Sequence, residues 1–425
     1  MWLQVKLEQL AVPEKGAIKI GPFGSQLKKT ELVLSGIHVI GIENVLTGRF
    51  DGLGDRYITE KKFRTLRSVE VKPGDVLITM MGTIGEVAIV PKGISRSIMD
   101  SHLLRIRPNH RICKPEYLAW LIKGSAVTKQ AIQGNAHGAI MKGLNSKIVR
   151  SLPTPLPPLS EQNRIVEILD QADALRKRRA EADAKATHIL PTLFYKIFGD
   201  PITNPKRWPI ASLGELGNLD RGRSRHRPRN APELLGGPYP FIQTGDVANC
   251  KGYIRIYSST YSEMGLAQSK MWPAGTLCIT IAANIAATAI LGLDACFPDS
   301  VVGFTPNSRI NSAYVRILLS LLKPLIERAA PQLAQKNINL KILRDLPIPV
   351  PRKNLLDRFE SQHDKVLSLE EKQLASSYNL EKLWISILHR AFTGDLTANW
   401  REMRMNELLK EMKAQTNGLN LRIEP

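Results

Sequence analysis

Cysteine is scarce in this chain, with four residues out of 425. None of the four forms a Cys-x-x-Cys pair, and no histidine lies at zinc-ligand spacing beside one. The sequence therefore predicts neither a disulfide framework nor a bound metal, and it favours a reducing, cytoplasmic compartment. The first six residues, Met-Trp-Leu-Gln-Val-Lys, do not have the pattern of a signal peptide.

Sequence motifs of nucleotide and metal chemistry are missing as well. The chain has no P-loop, no Gly-x-Gly-x-x-Gly turn between a strand and a helix, and no His-Glu-x-x-His. An adenine-methyltransferase motif needs Asn or Asp, then Pro-Pro and an aromatic residue, and the nearest run, Asn204-Pro205-Lys206, lacks the second proline. We therefore predict that the chain is not itself an enzyme and binds no cofactor.

One uncharged run, residues 271–293, is long enough to span a bilayer. It contains Pro273 and Gly275, and its counterpart in the first half of the chain, residues 76–90, is interrupted by Gly82 and Glu86. These interruptions predict short buried strands rather than a membrane helix.

Acidic residues are outnumbered, 39 against 59 Lys and Arg, which gives a net charge of +20. The excess is confined to two segments, because residues 1–159 carry +11 and residues 191–353 carry +10, and the rest is close to neutral. Two basic segments separated by neutral ones indicate a polyanionic partner, and nucleic acid is the natural one. The alternative is a basic surface that only maintains solubility.

The two basic segments are copies of one unit. Residues 144–157 return 194 residues later as residues 338–351, with Asn, Lys, Arg, Leu and three alternating prolines in the same register. A period near 200 is too long for a solenoid and predicts two similar α+β domains, each suited to one half of a two-part target. Two further segments of the first half have similar counterparts in the second half, 39–45 in 241–247 and 73–79 in 274–280.

Each copy ends in a long helix. We expect the first to have Ser160 as its N-cap and to be kinked or ended by Pro191, and the second to begin near Asn354. Apolar residues recur at steps of three and four, which predicts that the helices pair antiparallel; packing of each helix on its own domain is the alternative. The main apolar positions are Ile165, Ile168, Leu175, Val366, Leu369, Leu380 and Leu383.

Candidate DNA-binding residues lie in three kinds of loop. Alternate arginines in residues 221–229 would point both ways along an extended phosphate clamp. A flexible turn at Gly24-Ser25 precedes two lysines and could bring backbone N–H groups to a phosphate. Equivalent loops before the long helices carry lysines, together with Asn and Gln side chains whose amide groups could hydrogen bond to adenine. Solvated loops and turns are the alternatives. The candidates are Ser25, Lys28, Lys29, Lys142, Asn145, Arg221, Arg223, Arg225, Arg227, Arg229, Gln335, Lys336 and Asn337.

Several junction motifs together resemble the specificity subunit of type I restriction–modification systems. They are Pro-Pro-Leu-Ser-Glu-Gln at 157–162, Phe-Gly-Asp-Pro at 198–201 with Trp-Pro at 208–209, and Ala-Phe-Thr-Gly-Asp-Leu-Thr-Ala at 391–398. The turn Ile-Gly-Pro-Phe-Gly-Ser at 20–25 is also common in the recognition domains of that family. The resemblance covers the whole chain. The second helix departs from it, since Pro351-Arg352-Lys353-Asn354 replaces the Ser-Glu-Gln start.

The resemblance implies an α+β fold in which two similar target recognition domains of mixed α/β structure are separated by two long helices. These helices would pair as an antiparallel coiled coil within a pseudo-twofold internal repeat, act as a ruler, and dock methyltransferase subunits through the apolar positions named above. The expected segments are 1–158 and 201–352 for the domains, 159–200 and 353–395 for the helices, and 396–425 for the tail.

The function that the resemblance implies is recognition of a bipartite double-stranded DNA site. S-adenosylmethionine, ATP and Mg would be bound by partner subunits, namely the methyltransferase subunits and a restriction and translocase subunit, and no membrane is involved. Two other hypotheses remain open at this point. One is a free-standing DNA-modifying enzyme with a divergent active site, and the other is a DNA-bridging protein without sequence preference.

Overall fold

A computed structural model describes residues 2–45, 50, 54–126, 128, 130, 146–226, 228–282, 284–329 and 338–419. The chain divides into two compact units. The first unit is Met1–Arg178 with Tyr378–Pro425, and the second unit is Arg179–Ser377. The division falls inside both long helices, so each unit holds one α+β domain and a part of each helix.

The first domain contains two four-stranded sheets. In one sheet the strand order is Ile18–Ile20, Leu103–Ile106, Val76–Thr79 and Val87–Ile89, all antiparallel. In the other it is Tyr57–Ile58, Ile37–Ile40, Ser97–Met99 and Glu70–Val71, with a parallel pair at its centre. The strands Leu3–Lys6 and Pro153–Leu156 pair separately. The helices of this domain are Glu60–Leu66, Pro115–Gly124 and Ser146–Ser151.

The second domain repeats this arrangement. Its first sheet has the order Gly217–Arg221, Val301–Pro306, Leu277–Thr280, Thr288–Leu291 and Tyr253–Ile254, where the last strand is an addition. Its second sheet has the order Ser259–Tyr261, Leu235–Phe241, Ala295–Cys296 and Met271–Trp272. The strands Ile210–Ser212 and Pro347–Pro349 pair separately. Its helices are Thr244–Asn249, Glu263–Ala267, Ser312–Ala329 and Leu340–Arg344.

The two domains share hydrogen bonds as well as strand order. The Tyr117 hydroxyl donates to the carbonyl of Pro155 at 2.7 Å, and the equivalent Tyr314 hydroxyl donates to Pro349 at 2.9 Å. Burial without that bond would be costly, since each tyrosine is almost fully buried. The predicted duplication is therefore confirmed at the level of individual side chains. The described residues of the uncharged run 271–293 include the strands Met271–Trp272, Leu277–Thr280 and Thr288–Leu291, as predicted. No helix in the described part of the chain is long and apolar enough to cross a membrane.

Three helices form the linkers between the domains. Linker helix 1 is Leu159–Ala186 and is followed by the separate helix Ile189–Phe198. Linker helix 2 is Lys353–Thr393. The prediction of Ser160 as N-cap is wrong, because the helix begins one residue earlier. Ser160 instead donates from both its backbone N–H and its hydroxyl to Glu411, at 3.0 and 2.9 Å.

Antiparallel pairing of the linker helices is confirmed within each unit. In the first unit Glu161 contacts Thr397, four residues after the end of linker helix 2, while Arg176, further along linker helix 1, contacts Glu381 within linker helix 2 at 2.9 Å. In the second unit Asp183 is hydrogen bonded to Gln373 and Ser377. The direction is the same there, because Phe194, on the helix that follows linker helix 1, packs on Phe359 near the start of linker helix 2, with ring centroids 5.9 Å apart.

The predicted apolar seam between the helices is wrong at most of its positions. Ile165 is fully buried, Ile168 and Val366 are half-buried, and Leu175, Leu369, Leu380 and Leu383 are exposed. Apolar residues are adjacent in the sequence at several points of these helices, and at three of these points the second residue of the pair is the buried one. The buried residues are Leu169 beside Ile168, Leu367 beside Val366, and Trp384 beside Leu383.

Polar contacts occupy the middle of the pairing instead. In the second unit Arg179 donates to the carbonyl of Gln373 at 2.8 Å and to Ser376 at 3.2 Å, and it is paired with Asp183 at 2.7 Å. In the first unit the guanidinium of Arg176 lies 5.5 Å from the ring centroid of Trp384. Arg179 therefore takes part in the pairing of the two helices.

The tail packs on the first domain. Its helices are Ala398–Glu402 and Met405–Gly418. The carboxylate of Glu161 is fully buried and accepts hydrogen bonds from Trp2 Nε1 at 2.9 Å, Thr397 Oγ1 at 2.6 Å and Arg401 Nε at 2.8 Å. Neighbouring Gln162 donates to the carbonyls of Ile112 and Pro157, and Gln415 of the tail donates to the same two carbonyls.

A buried histidine anchors linker helix 2 to the second domain. His363 is fully buried, and its Nε2 accepts from Nε and Nη2 of Arg316 at 3.1 and 2.9 Å. Its Nδ1 lies 3.0 Å from Asp364 Oδ1. Burial, followed by the charge of Arg316, lowers the pKa of His363 to about 4. The imidazole is therefore neutral at pH 7, with its proton on Nδ1.

We expect the second unit to lose stability as the pH falls from about 6.5 to 4. The unfolded chain binds a proton at His363 near pH 6.5, whereas the folded chain resists it until about pH 4, so acid favours unfolding. The loss should be on the order of 2–3 kcal/mol. Urea unfolding at pH 7 and pH 5 tests this. His363→Gln should flatten the dependence, and His389→Gln, at an exposed histidine of the same helix, should leave it unchanged.

Candidate nucleic-acid interface

In the first domain the loops at one end of both sheets converge. The Gly21 N–H donates to Leu103, the Met80 N–H to His102, and the Asp100 N–H to Ile40. These bonds bring the ends of strands Ile18–Ile20, Ile37–Ile40 and Val76–Thr79 to the start of Leu103–Ile106. The resulting surface, residues 21–26, 41–44, 80–86 and 100–102, is called recognition edge 1.

The second domain has the equivalent surface. The Gly222 N–H donates to Val301, the Ile242 N–H to Cys296, and the Ile281 N–H to Ser300. Residues 222–226, 243–246, 281–282, 284–287 and 297–300 form recognition edge 2. Gly222 is required here, because a Cβ at this position would lie 2.2 Å from the carbonyl oxygen of Phe297. The equivalent Gly21 would meet the Asp100 carbonyl oxygen at 1.8 Å.

The arginine loop enters recognition edge 2. Arg221, Arg223 and Arg225 are exposed, while Gly222 and Ser224 between them are buried. The expectation that these arginines point both ways is wrong, because alternate residues of an extended segment share one side. The loop is held by its backbone, since Arg225 N–H donates to Gln268 Oε1 and Arg223 N–H donates to the carbonyl of Phe297.

Arg229 is exposed but paired, with its Nη2 2.6 Å from Asp299 Oδ1 on recognition edge 2. A paired arginine can still meet a phosphate, although the carboxylate offsets part of its charge. Arg223 and Arg225 therefore present the more positive part of the loop. Arg227 lies outside the described residues.

The turn expected to bind phosphate in the first domain lies at recognition edge 1. Ser25 is in a short helical turn, Gly24–Gln26, and its side chain is exposed, as are Lys28 and Lys29. Lys28 N–H donates to Glu31 at 2.8 Å, so this backbone donor is already engaged. The N–H of Gln26 is engaged as well, since it donates to Phe23. The charges of the lysines, more than backbone donors, make this turn attractive to phosphate.

The remaining candidates, Lys142, Asn145, Gln335, Lys336 and Asn337, lie outside the described residues. The chain re-enters the described part at Ile338, whose N–H donates to the carbonyl of Ile281 on recognition edge 2 at 3.0 Å.

The structure adds polar residues that the sequence did not indicate. Arg56 lies beside recognition edge 1 and donates to two of its residues, to Asp100 at 3.1 Å and to Glu43 at 2.5 Å. Partial burial alone would lower the pKa of Arg56, but the charges of Asp100 and Glu43 raise it above its usual value. Gln243 and Ser259 meet at 2.9 Å in the corresponding place of recognition edge 2. Arg56 precedes the strand Tyr57–Ile58 and Ser259 begins the strand Ser259–Tyr261, and both strands are too short to show the repeat in the sequence.

Exposed apolar side chains lie along linker helix 2. In the second unit these are Leu369 and Leu374, which are 64% and 52% exposed. In the first unit they are Tyr378, Leu380, Leu383 and Ile385, together with Leu175 of linker helix 1. Such a density of exposed apolar residues on one helix is typical of a surface that another protein covers.

The chain is similar to known specificity subunits. It is 23% identical over 384 residues to a putative type I restriction enzyme MjaX specificity subunit of Methanocaldococcus jannaschii, covering 85% of this chain and 87% of that one. It is 27% identical over 176 residues to the EcoBI specificity subunit of Escherichia coli, covering 40% of this chain and 36% of that one.

Solved structures share the fold. A chain from a study of complex assembly and conformational transition of the type I R-M system matches with a TM-score of 0.61 at 19% identity, covering 93% of this chain and 98% of that one. The type I system S subunit from M. genitalium matches with a TM-score of 0.54 at 13% identity, covering 92% and 96%.

The match to a protein family extends over both repeats. The sequence model of the type I restriction modification DNA specificity domain matches residues 28–182 and again residues 205–375, which together are more than half of the chain. Each match covers most of one domain and a part of one linker helix. The chain therefore belongs to the family of type I restriction–modification DNA specificity proteins.

Proposed function

We propose that the chain recognises a bipartite site in double-stranded DNA, with recognition edge 1 contacting one half-site and recognition edge 2 the other. The observation that carries this proposal is the repetition of one loop-bearing edge in two domains, each on a segment with a net charge of at least +10. Phosphates would meet the exposed basic residues and fix the register, while edge side chains would contact the bases.

Methyltransferase subunits are the partners that we assign to the linker helices. The exposed apolar residues of linker helix 2 offer them a docking surface in each unit. Ile165 cannot take part, because it is buried in the core of the first domain. Of the predicted docking residues, Leu175, Leu369 and Leu383 have the largest exposed fractions, and the last two lie on linker helix 2. A restriction and translocase subunit would join the same complex.

Catalysis would belong to these partners. In this proposal the methyltransferase subunits bind S-adenosylmethionine, the translocase subunit binds ATP and Mg, and the chain itself supplies only the DNA sequence preference, in the cytoplasm. The free-standing enzyme remains the competing hypothesis, and methyl transfer by the purified chain without partners would support that hypothesis instead.

Separate recognition by the two domains is tested by exchanging residues 1–158 for those of another family member. We expect one half of the methylated site to change and the other half to stay the same, because each half depends on one edge. The donor should have tryptophan at the position of Trp2, since this side chain bonds to Glu161. The readout is the methylated motif in a host that also expresses the methyltransferase subunits. A change in both halves would contradict separate recognition.

The arginine loop is tested by Arg223→Ala and Arg225→Ala. Each should weaken DNA binding by a similar factor for all sequences. The slope of log K against log salt concentration should fall by about one unit for each phosphate that the variant no longer neutralises. Lys372→Ala, at an exposed position of linker helix 2, is the control. Unchanged slopes for both arginine variants would remove the loop from the interface.

A further inference from the structure

The internal repeat separates scaffold from recognition residues. Positions that keep the same contacts in both domains, such as Tyr117 and Tyr314, maintain the fold. Structurally equivalent positions on the two edges that carry different side chains are candidates for distinguishing one base from another. The strand registers identify one such pair of positions without ambiguity.

The first of the two positions is Gly41 in the first domain and Gln243 in the second. Val39 and Phe241 are equivalent, because each makes the parallel pair of its sheet, with Ile98 and Cys296 respectively. Gly41 and Gln243 each come two residues later, so they are equivalent as well. Both N–H groups donate to a side chain three residues later, Gly41 to Asn44 at 3.0 Å and Gln243 to Asp246 at 2.7 Å.

The second position is Arg56 in the first domain and Ser259 in the second. Ser259 lies opposite Phe241 in the antiparallel register. Arg56 lies opposite Val39, whose N–H donates to the Arg56 carbonyl at 2.9 Å. Val39 and Phe241 are equivalent, so Arg56 and Ser259 are equivalent as well.

In each domain one of the two positions carries a long side chain that fills the space between them. In the first domain this is the second position, Arg56, and in the second domain it is the first position, Gln243. A Cβ on Gly41 would lie 1.9 Å from Nη2 of Arg56, so the guanidinium occupies the volume where a side chain at this position would begin. In the second domain that side chain is present as Gln243, and the residue opposite is the small Ser259, whose Oγ accepts from Gln243 Nε2 at 2.9 Å. Glycine with arginine in one domain thus corresponds to glutamine with serine in the other.

We propose that these paired positions determine the base preference of each half-site, with the Arg56 guanidinium contacting guanine and the Gln243 carboxamide contacting adenine. This inference rests on the proposed function. The guanidinium matches O6 and N7 of guanine, and the carboxamide matches N6 and N7 of adenine, in the major groove. Asp100 and Glu43 orient Arg56 and account for two of its five N–H groups, and Ser259 orients Gln243.

A second arginine–glutamate pair in the first domain provides a matched control. Arg96 lies 3.3 Å from Glu60 and is exposed, as is its partner. Arg96 precedes strand Ser97–Met99, whereas Asp100 follows it, so the two pairs lie at opposite ends of the same strand. If surface ion pairs only support the fold, both pairs should respond alike to substitution.

The test transplants the second domain's pair into the first domain of the full chain, as Gly41→Gln with Arg56→Ser. The chain is co-expressed with the methyltransferase subunits, the methylated motif is determined, and the purified complex is bound to duplexes that differ at single base pairs. We expect one base pair of one half-site to change from G·C toward A·T, with a shift in preference of about 10- to 100-fold, and the other half-site to stay unchanged.

Arg56→Lys supplies a variant that keeps the charge but loses the two-pronged geometry. It should reduce the preference at the same base pair, whereas Arg96→Ser should leave both half-sites unchanged. The reciprocal exchange, Gln243→Gly with Ser259→Arg, should alter the base preference of the other half-site. It tests the proposal if the first transplant does not fold. Unaltered motifs in Arg56→Lys and in a folded transplant would overturn the inference. A wild-type complex without any bipartite motif would instead refute the proposed function.

Discussion

Deletion of residues 396–425 is expected to unfold the first domain while the second domain keeps its stability. The reason is the carboxylate of Glu161, which is fully buried and bonded to Thr397 and Arg401 of the tail. Removing the partners of a buried charge typically costs about 3–5 kcal/mol, because the charge loses the hydrogen bonds and the opposite charge that offset its burial.

The deletion also removes other interactions of the tail with the first domain. Arg401 lies over the ring of Trp2, with 5.0 Å from its guanidinium carbon to the ring centroid. Leu408 is 2% exposed, and Gln415 satisfies the carbonyls of Ile112 and Pro157 together with Gln162. The combined effect is on the order of the whole free energy of unfolding of a typical domain, about 5–15 kcal/mol.

Urea unfolding followed by limited proteolysis measures this effect domain by domain. In the truncated chain the first domain should already be unfolded without urea, with cleavage sites confined to residues 1–158, and only the transition of the second domain should remain. Two single substitutions refine the experiment. Leu408→Ala should cost about 2–5 kcal/mol, whereas Leu409→Ala, at a 47% exposed neighbour, should stay within about 0.5 kcal/mol. A truncated chain that unfolds at the same urea concentration as the full chain would show that the tail contributes little to stability.

The duplication and the strands could be predicted from the sequence because they depend on short-range patterns. Strands 76–79 and 277–280 are preceded by glycines with positive φ, Gly74 at 84° and Gly275 at 87°, and β-branched residues follow. Turn glycines and β-branched runs are local signals, so both copies showed them independently. The long helices were predicted for the same reason, from their apolar periodicity and length.

The packing face of the helices could not be predicted, since the sequence has apolar residues on more than one face. Ile168 and Leu169, or Leu383 and Trp384, are adjacent, and a heptad pattern fits either choice. The domain decides between them, because Leu169 and Trp384 belong to the core of the first domain. The role of Arg179 in the helix pairing could not be predicted from the sequence either. Its partners, Gln373 and Ser376, lie almost 200 residues away.

The candidate interface was only partly accessible from the sequence. The basic loop at 221–229 and the turn at Ser25 were visible as motifs, and the structure places both at a recognition edge. Arg56 was not visible, since its equivalence to Ser259 appears only when strand registers are compared. The burial of Glu161 was missed for a similar reason, because its partners are Trp2 at one end of the chain and Arg401 near the other.

Lengthening both linker helices by the same amount is expected to lengthen the spacer between the DNA half-sites. Seven-residue repeats would be inserted between Lys177 and Arg178 and between Tyr378 and Asn379. These points separate the contact of Arg176 with Glu381 from the contacts of Arg179 and Asp183 with residues 373–377. Both sets of contacts therefore keep their partners within their own unit.

Three repeats in each helix give the sharpest result. Twenty-one residues add about 31 Å at 1.5 Å per residue, which is close to one turn of DNA at about 34–36 Å. The spacer should thus grow by about nine or ten base pairs. This is close to one full turn of DNA, so the rotation of one half-site relative to the other stays nearly as it is in the original site. One repeat adds about 10 Å, or about three base pairs, which rotates one half-site by roughly a third of a turn, so methylation should be weak.

An insertion into linker helix 1 alone is the informative control. It would move Asp183 away from Gln373 and Ser377 while Arg176 keeps Glu381, so the helices could pair in only one unit at a time. We expect that variant to unfold at a lower urea concentration and to lose methylation. If the doubly extended chain assembles, methylates DNA and keeps the original spacer, the distance between the half-sites is set by something other than the linker helices. If the spacer lengthens while both half-site sequences stay fixed, spacing and base recognition are separate properties, the first carried by the linker helices and the second by the recognition edges.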